Sequence, residues 1–183
     1  MSKLDITPEE LIARYYVGQP ELQSMLLAHS RAVASRALSI AASHPEWNLD
    51  RDFIYEAAML HDVGVLYTDA PGIHCRGSHP YLMHGLLGGN ILRHEGLYRH
   101  ARVAERHTGT GLKAQTIVER GLPLPVMEWE PVTLEEKLVC YADKFYSKSR
   151  IGEEKTHEQV MQSLSKFGAS GVEIFRQWME LFE

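Results

Sequence analysis

The chain has 183 residues, a hydrophobic fraction of 44% and a formal net charge of −5 at pH 7. This length and apolar content predict a single domain over residues 1–183 with an ordinary core. The acidic balance argues against binding to nucleic-acid phosphates, and no apolar run reaches the roughly 18 residues of a membrane-spanning helix. The first five residues contain no apolar signal segment, so we expect a cytoplasmic protein. Cys75 and Cys140 are far apart and are expected to be reduced thiols, Cys140 in the core.

Signals of helix formation recur along the whole chain. Thr7, Pro8 and Glu10 form a capping box with proline at the first helical position, and apolar residues then recur at helical spacing. No alternating run or hairpin dipeptide indicates a strand, and Tyr67–His79 is expected to be a loop. The sequence therefore predicts an all-α fold, a helical bundle. Its helices are expected to begin near Pro8, Glu21, Asp50, Pro80, His100, Lys113, Thr133, Thr156 and Ser170. Further capping boxes are predicted at Thr156 and Ser170, and the helix that begins near Asp50 is expected to end near Gly64.

Several of these helices carry a polar residue on, or at the end of, an otherwise apolar face. A single buried histidine is usually a hydrogen-bonded core residue. Burying several polar side chains without partners would cost about 1–3 kcal/mol for each unsatisfied group. Imidazole and carboxylate are both good ligands for a divalent metal, so the pattern predicts one buried metal site on which five helices converge. The six residues are His29, His61, Asp62, His84, His107 and Asp143.

The order of these residues resembles that of the HD-domain superfamily of metal-dependent phosphohydrolases. The tetrad His61-Asp62-Val63-Gly64 differs by one conservative residue from the His-Asp-Ile-Gly tetrad of the small HDIG-type members. Residues 105–112 and 133–144 look like the corresponding segments of an HDIG subgroup common in archaea. The resemblance covers about residues 27–144. It implies an HD-type bundle with the N- and C-terminal helices packed on that core.

The resemblance also implies a role for each ligand. A first metal ion would be held by four residues, namely His29, His61, Asp62 and Asp143. Asp62 would bridge to a second ion, which His84 and His107 would hold. Two ions per chain are therefore expected. Iron is favoured, and such nitrogen and oxygen sites also accept manganese, nickel, cobalt or zinc.

Other histidines compete for two of these roles. His79 competes with His84, but His84 shares a helix face with Gly88, and the family pattern places a small residue four positions after this ligand. His100 competes with His107, and the sequence that follows His107 favours the latter. The remaining histidines are assigned to the surface or to loops: His44, His74, His94 and His157.

Phosphoryl transfer also needs cationic partners for the charge that develops in the transition state. Asp62 is predicted to be catalytic because both metals would share it. Lys144, which follows a predicted ligand, and Arg76, in the loop after the tetrad, are predicted to be catalytic cations. Arg150 is a further candidate.

The chain departs from the family pattern directly after the tetrad. Many relatives carry a basic residue there, whereas this chain has Val65 and Leu66. The usual phosphate contact is therefore missing from this position. We expect Tyr67–His79 to replace it as part of a substrate lid.

The resemblance favours a metal-dependent phosphohydrolase that acts on a nucleotide or another small phosphate ester. A mixed-valence di-iron oxygenase that cleaves C–C or C–P bonds is the first alternative. Such oxygenases carry a basic segment soon after the ligand equivalent to His107, whereas here Lys113 is the only cation in residues 108–113. The second alternative is a metal- or nucleotide-binding module without turnover. The expected partner is a small phosphorylated substrate, with no nucleic acid and no membrane.

Overall fold

The computed structural model describes residues 6–183 and is mostly helical, which confirms the predicted fold class. The five N-terminal residues used to predict the absence of a signal segment lie outside the described residues. No described helix is long and apolar enough to cross a membrane. The helices are α1 (Pro8–Tyr15), α2 (Pro20–Ser43), α3 (Arg51–Leu60), α4 (His84–His94), α5 (Tyr98–Arg106), α6 (Ala114–Arg120), α7 (Leu134–Asp143), α8 (His157–Ser165) and α9 (Ala169–Phe182).

Short strands lie in two places where the sequence predicted none. β1 pairs antiparallel with β2 and parallel with β3, while β4 and β5 form an antiparallel hairpin. The strands have only two to five residues, so they are too short to show the alternation that identifies a strand in sequence. The prediction of no strand is therefore wrong here. The strands are β1 (Thr68–Ala70), β2 (Cys75–Arg76), β3 (His79–Pro80), β4 (Tyr146–Ser147) and β5 (Arg150–Glu154).

Helix α2 borders two hydrophobic clusters. From Val33 onwards it packs in a cluster with α3, α7, α8 and α9. Up to Leu26 it packs in a second cluster with α1, α4, α5 and the segment that follows α3. Leu27 contacts both clusters. The buried His29 therefore lies where the two apolar regions meet, and its neighbours are fixed from both sides.

Within residues 6–183, side-chain N-caps begin four of the nine helices, namely α1, α3, α7 and α8. Thr7 and Thr156 form complete capping boxes, as the sequence predicts. The capping box predicted at Ser170 is wrong, because α9 begins at Ala169 with Gly168 as its N-cap. Gly168 has φ 119°, a conformation that favours glycine, and it turns the chain into α9 before Ser170 is reached.

Helix α3 ends at Leu60 and not near Gly64 as predicted. The chain then tightens into a 3-10 helix over Val63–Tyr67, which packs against α4. A Cβ atom on Gly64 would lie 2.1 Å from the carbonyl oxygen of His84 and 2.2 Å from the amide nitrogen of Gly88. The absence of a side chain at Gly64 therefore allows the start of α4 to approach the turn after α3.

Replacement of Gly64 by alanine tests this contact. Gly64→Ala is expected to lower the free energy of unfolding by about 2 kcal/mol or more, because the clashing atoms belong to the backbone of α4. Thermal melts should show a fall of roughly 4–8 °C in Tm. Gly72→Ala is the matched control, since a Cβ atom there would meet nothing within 4 Å. Equal melting temperatures for the two variants would contradict the close-contact account.

Candidate metal centre

Five helices deliver six polar side chains to one buried position. Each of these residues is at most 8% exposed. Helix α2 contributes one from its middle, whereas the others lie at or just beyond helix ends, where the chain changes direction. They are His29 of α2, His61 and Asp62 after α3, His84 at the start of α4, His107 after α5 and Asp143 at the end of α7.

The six side chains form two groups that share one member. In each group, one potential ligand atom from every residue lies within 4.8 Å of the others. The sequence predicted the same division, and the assignment of these residues as ligands stays a prediction. The first group is His29, His61, Asp62 and Asp143, and the second is Asp62, His84 and His107.

The two carboxylate oxygens of Asp62 face different histidine pairs. Oδ2 lies 3.1 Å from Nε2 of His29 and 3.0 Å from Nε2 of His61. Oδ1 lies 3.4 Å from Nε2 of His84 and 3.3 Å from Nε2 of His107. A carboxylate in this position can contact one cation through each oxygen.

Backbone carbonyls fix the orientation of three imidazoles. Nδ1 of His61 lies 2.6 Å from the carbonyl oxygen three residues earlier, and His84 and His107 each make the same contact at 2.7 Å. A carbonyl oxygen only accepts, so Nδ1 carries the hydrogen in each bond. In the neutral ring, Nε2 then presents its lone pair to the centre of the cluster, as a metal ligand requires.

The polar atoms at the centre lack ordinary partners. Both oxygens of Asp62 and Nε2 of His61 are buried without a hydrogen bond to any described residue. Nε2 of His84 and Nε2 of His107 are 3.0 Å apart although neither has a second hydrogen to offer in the neutral ring. A divalent cation between these atoms would satisfy all of them, so the donor set fits a metal.

The pKa values of two histidines in the cluster are shifted in opposite directions. Burial works to raise the pKa of Asp62, but the charges of His61 and Lys148 hold that pKa well below its usual range. Burial lowers the pKa of His84 to about 3, so this ring is neutral at pH 7. Burial also works to lower the pKa of His61, but Asp62 and Asp143 outweigh it and raise the pKa to about 9. A proton on His61 therefore competes with a metal for the same nitrogen.

Among residues 6–183, two lysines reach the cluster, and only Lys144 was predicted from the sequence. Nζ of Lys144 lies 2.9 Å from Oδ2 of Asp143 and donates to the carbonyl oxygen of His107 at 2.9 Å. Nζ of Lys148 lies 2.6 Å from Oδ2 of Asp62, at ion-pair distance but without hydrogen-bond geometry. Lys148 sits in the turn of the β4–β5 hairpin, and it was missed because the hairpin itself was not predicted.

The predicted arginines lie outside the cluster. Arg76 is exposed on β2, and its catalytic role stays a prediction. Arg150 is exposed on β5 and lies 3.8 Å from Glu153. Tyr67–His79 contains β1, β2 and the first residue of β3, so it is an ordered surface segment and not an irregular loop. Its role as a lid stays a prediction.

The competing histidines occupy other environments. His79 is exposed on β3. His100 is buried in α5, where Nε2 lies 3.0 Å from Oε2 of Glu56 and the ring packs edge-on against Phe53. His44 and His157, which were assigned to the surface, are partly exposed. The geometry therefore favours His84 and His107 over their competitors.

A buried cluster of histidines and aspartates at converging helix ends is the arrangement of a helical metal-binding domain. The sequence model of the family described as the HD domain matches residues 26–148 of this chain. The chain belongs to the HD-domain family, as the resemblance in the sequence analysis implied.

Curated proteins also match parts of the chain. The chain is 31% identical over 145 residues to a tRNA (cytidine(56)-2'-O)-methyltransferase of Picrophilus torridus, covering 79% of this chain and 38% of that protein. It is 32% identical over 121 residues to an uncharacterised protein of Methanocaldococcus jannaschii, covering 64% of each. The chain thus spans less than two thirds of the length of these curated relatives.

A solved structure shares the fold. The HD domain of the L. monocytogenes phosphodiesterase PgpH superposes with a TM-score of 0.52 and 16% sequence identity, covering 91% of this chain and 93% of that one. At this identity the likeness concerns the fold alone.

Removal of His107 tests whether the second group holds its own ion. His107→Ala is expected to lower the metal content from two ions per chain to one, because the four side chains of the first group are untouched. The chain should remain folded. Elemental analysis of protein purified without chelator, together with a thermal melt, measures both.

His100→Ala is the matched control, because this histidine is also buried in the α5 region but belongs to neither group. It is expected to lower the free energy of unfolding by about 1–3 kcal/mol with an unchanged metal content. If His107→Ala also loses stability while keeping the wild-type metal content, His107 is a core histidine and not a ligand.

Proposed function

We propose that this chain is a metal-dependent phosphohydrolase that hydrolyses a small phosphate ester, with a nucleotide as the favoured substrate. The observation that carries the proposal is the shared carboxylate of Asp62, whose oxygens face two separate histidine pairs. Two divalent cations are proposed, with iron favoured and manganese, nickel, cobalt or zinc as alternatives. Membership of the HD-domain family supports this choice.

Each side of the site has a distinct task. Two divalent ions that share a carboxylate, when bound, activate a water molecule and polarise a phosphoryl oxygen. Asp62 would hold both ions at a fixed separation. His84 and His107 would hold one of the two ions. The Nδ1 atom of each ring is bound to a backbone carbonyl oxygen, so the rings are already oriented before a metal binds. The other side is proposed to consist of His29, His61 and Asp143, with Asp62 shared.

Lys144 contacts Asp143, one of the residues proposed to hold the ion on the side of His29 and His61. Its ammonium group is held between Oδ2 of Asp143 and the carbonyl oxygen of His107. Because the ammonium group is already paired with these two protein oxygens, Lys144 is proposed to position Asp143 and not to contact the substrate. The other oxygen, Oδ1 of Asp143, remains directed at His29 and His61.

A surface groove lies along the first part of α2, and none of the six cluster residues lines it. Its volume is about 500 Å³, within the usual range for small ligands. Met25 and Ala28 line it from α2, and Ile151 lines it from β5. Met25 lies one helical turn before His29 on α2, and a ligand in this groove would contact α2 and β5.

The methyltransferase activity in the name of the Picrophilus torridus relative is not proposed for this chain. The chain spans 38% of that protein, and its buried polar cluster consists of side chains that could hold a metal. Interaction with tRNA or another nucleic acid is likewise not proposed, because the net charge is −5.

A substrate panel tests the reaction class. Protein loaded with iron or manganese should release phosphate, or a phosphomonoester, from some members of a panel of nucleotides and small phosphate esters. An oxygen electrode run on the iron-loaded protein separates the hydrolase from the di-iron oxygenase. Oxygen consumption in step with substrate loss would contradict hydrolysis, and tight binding without product would indicate a module without turnover.

Asp62→Ala is expected to abolish turnover and to remove most of the bound metal, because Asp62 is the only residue common to both groups. Asp52→Ala is the control on the same segment of chain, since Asp52 is exposed in the first turn of α3. Metal analysis and phosphate release are measured on both variants. An Asp62→Ala protein with full metal and at least half of the wild-type rate would show that the bridging role is wrong.

A further inference from the structure

The β4–β5 hairpin is a surface element that sends one charged side chain inward. All five residues of β5 are exposed. Lys148, in the turn before β5, has a side chain that is only 12% exposed, and its Nζ atom lies 2.6 Å from Oδ2 of Asp62. The hairpin thus places an ammonium group at the centre of the buried cluster.

The carboxylate oxygen that pairs with Lys148 is also one of the oxygens proposed to hold a metal. Oδ2 of Asp62 faces His29 and His61 as well as Lys148. A divalent cation held by that oxygen would repel the ammonium group and compete for the same lone pairs. Within residues 6–183 Lys148 has no second ion pair, and Oδ2 of Asp143 is already paired with Lys144 at 2.9 Å.

A mostly buried ammonium group that loses its carboxylate needs another anion. An unpaired buried charge is unfavourable unless a second charged group replaces its partner. The anion must reach Lys148 at the centre of the cluster, where the metals would also contact it. A phosphate group has the charge and the number of acceptor oxygens to bind two metals and one ammonium group together.

We propose that Lys148 binds the phosphate group of the substrate and is a catalytic residue of this site. The inference rests on the proposed phosphohydrolase function. Nζ of Lys148 lies 5.9 Å from the ring centroid of Tyr81, and that ring stacks on His84 at 4.7 Å. Tyr81 therefore borders the site next to both Lys148 and His84.

Binding of inorganic phosphate to the metal-loaded full chain tests the proposal without turnover. Lys148→Met is expected to weaken phosphate binding at least tenfold in a calorimetric titration while the metal content stays at the wild-type value. Lys166→Met is the matched control, because it removes the same charge from an exposed position at the end of α8. Lys148→Arg should restore part of the affinity, since it keeps the positive charge.

The possible outcomes separate this inference from the proposed function. Phosphate affinity within twofold of the wild type in Lys148→Met would overturn the phosphate contact, and so would a loss of metal in that variant. A wild-type protein that binds no phosphate would overturn it as well. If the wild type binds phosphate through Lys148 but hydrolyses no ester, the contact stands and the hydrolase function fails. Lys148→Gln replaces Lys148→Met in the titration if the melt shows that the methionine variant is unfolded.

Discussion

The buried carboxylate of Asp62 is the constraint on which the rest of the structure depends. It is fully buried, and neither oxygen accepts a hydrogen bond from a described residue. A negative charge in such a place is stable only when positive charge surrounds it closely. Nζ of Lys148 and Nε2 of His61 lie within 3.0 Å of Oδ2, and the charges of these two groups hold the pKa of Asp62 well below its usual range. These charged and polar groups meet because the helices and the β4–β5 hairpin that carry them converge at this position.

Two features of the fold make that approach possible. The glycines at positions 64 and 88 let the backbones of two segments nearly touch, so that the start of α4 lies beside the turn after α3. The two hydrophobic clusters meet near His29 and hold α2 in place on both sides. Because the side chains of the cluster are short and three of its four imidazole rings are bound to backbone carbonyls, the backbone geometry directly determines the geometry of the site.

The sequence predicted the helical class and the residues that would meet, because helical spacing shows which polar residues share a face with apolar ones. It did not predict how they meet. His61 and Asp62 are neighbours and would diverge on a continuous helix; they converge because α3 ends at Leu60. Lys148 was missed because its position depends on a hairpin of very short strands, which leaves no periodic signal. Arg76 was proposed from its place in the sequence, and its exposed position depends on the pairing of β1 with β2.

In the proposed function, one buried carboxylate holds two cations. Anomalous diffraction from crystals grown with manganese tests it most directly, because each bound ion gives its own peak. The account predicts two peaks about 3.5–4 Å apart, one beside each oxygen of Asp62. A single peak, or peaks at positions that Asp62 does not contact, would contradict it.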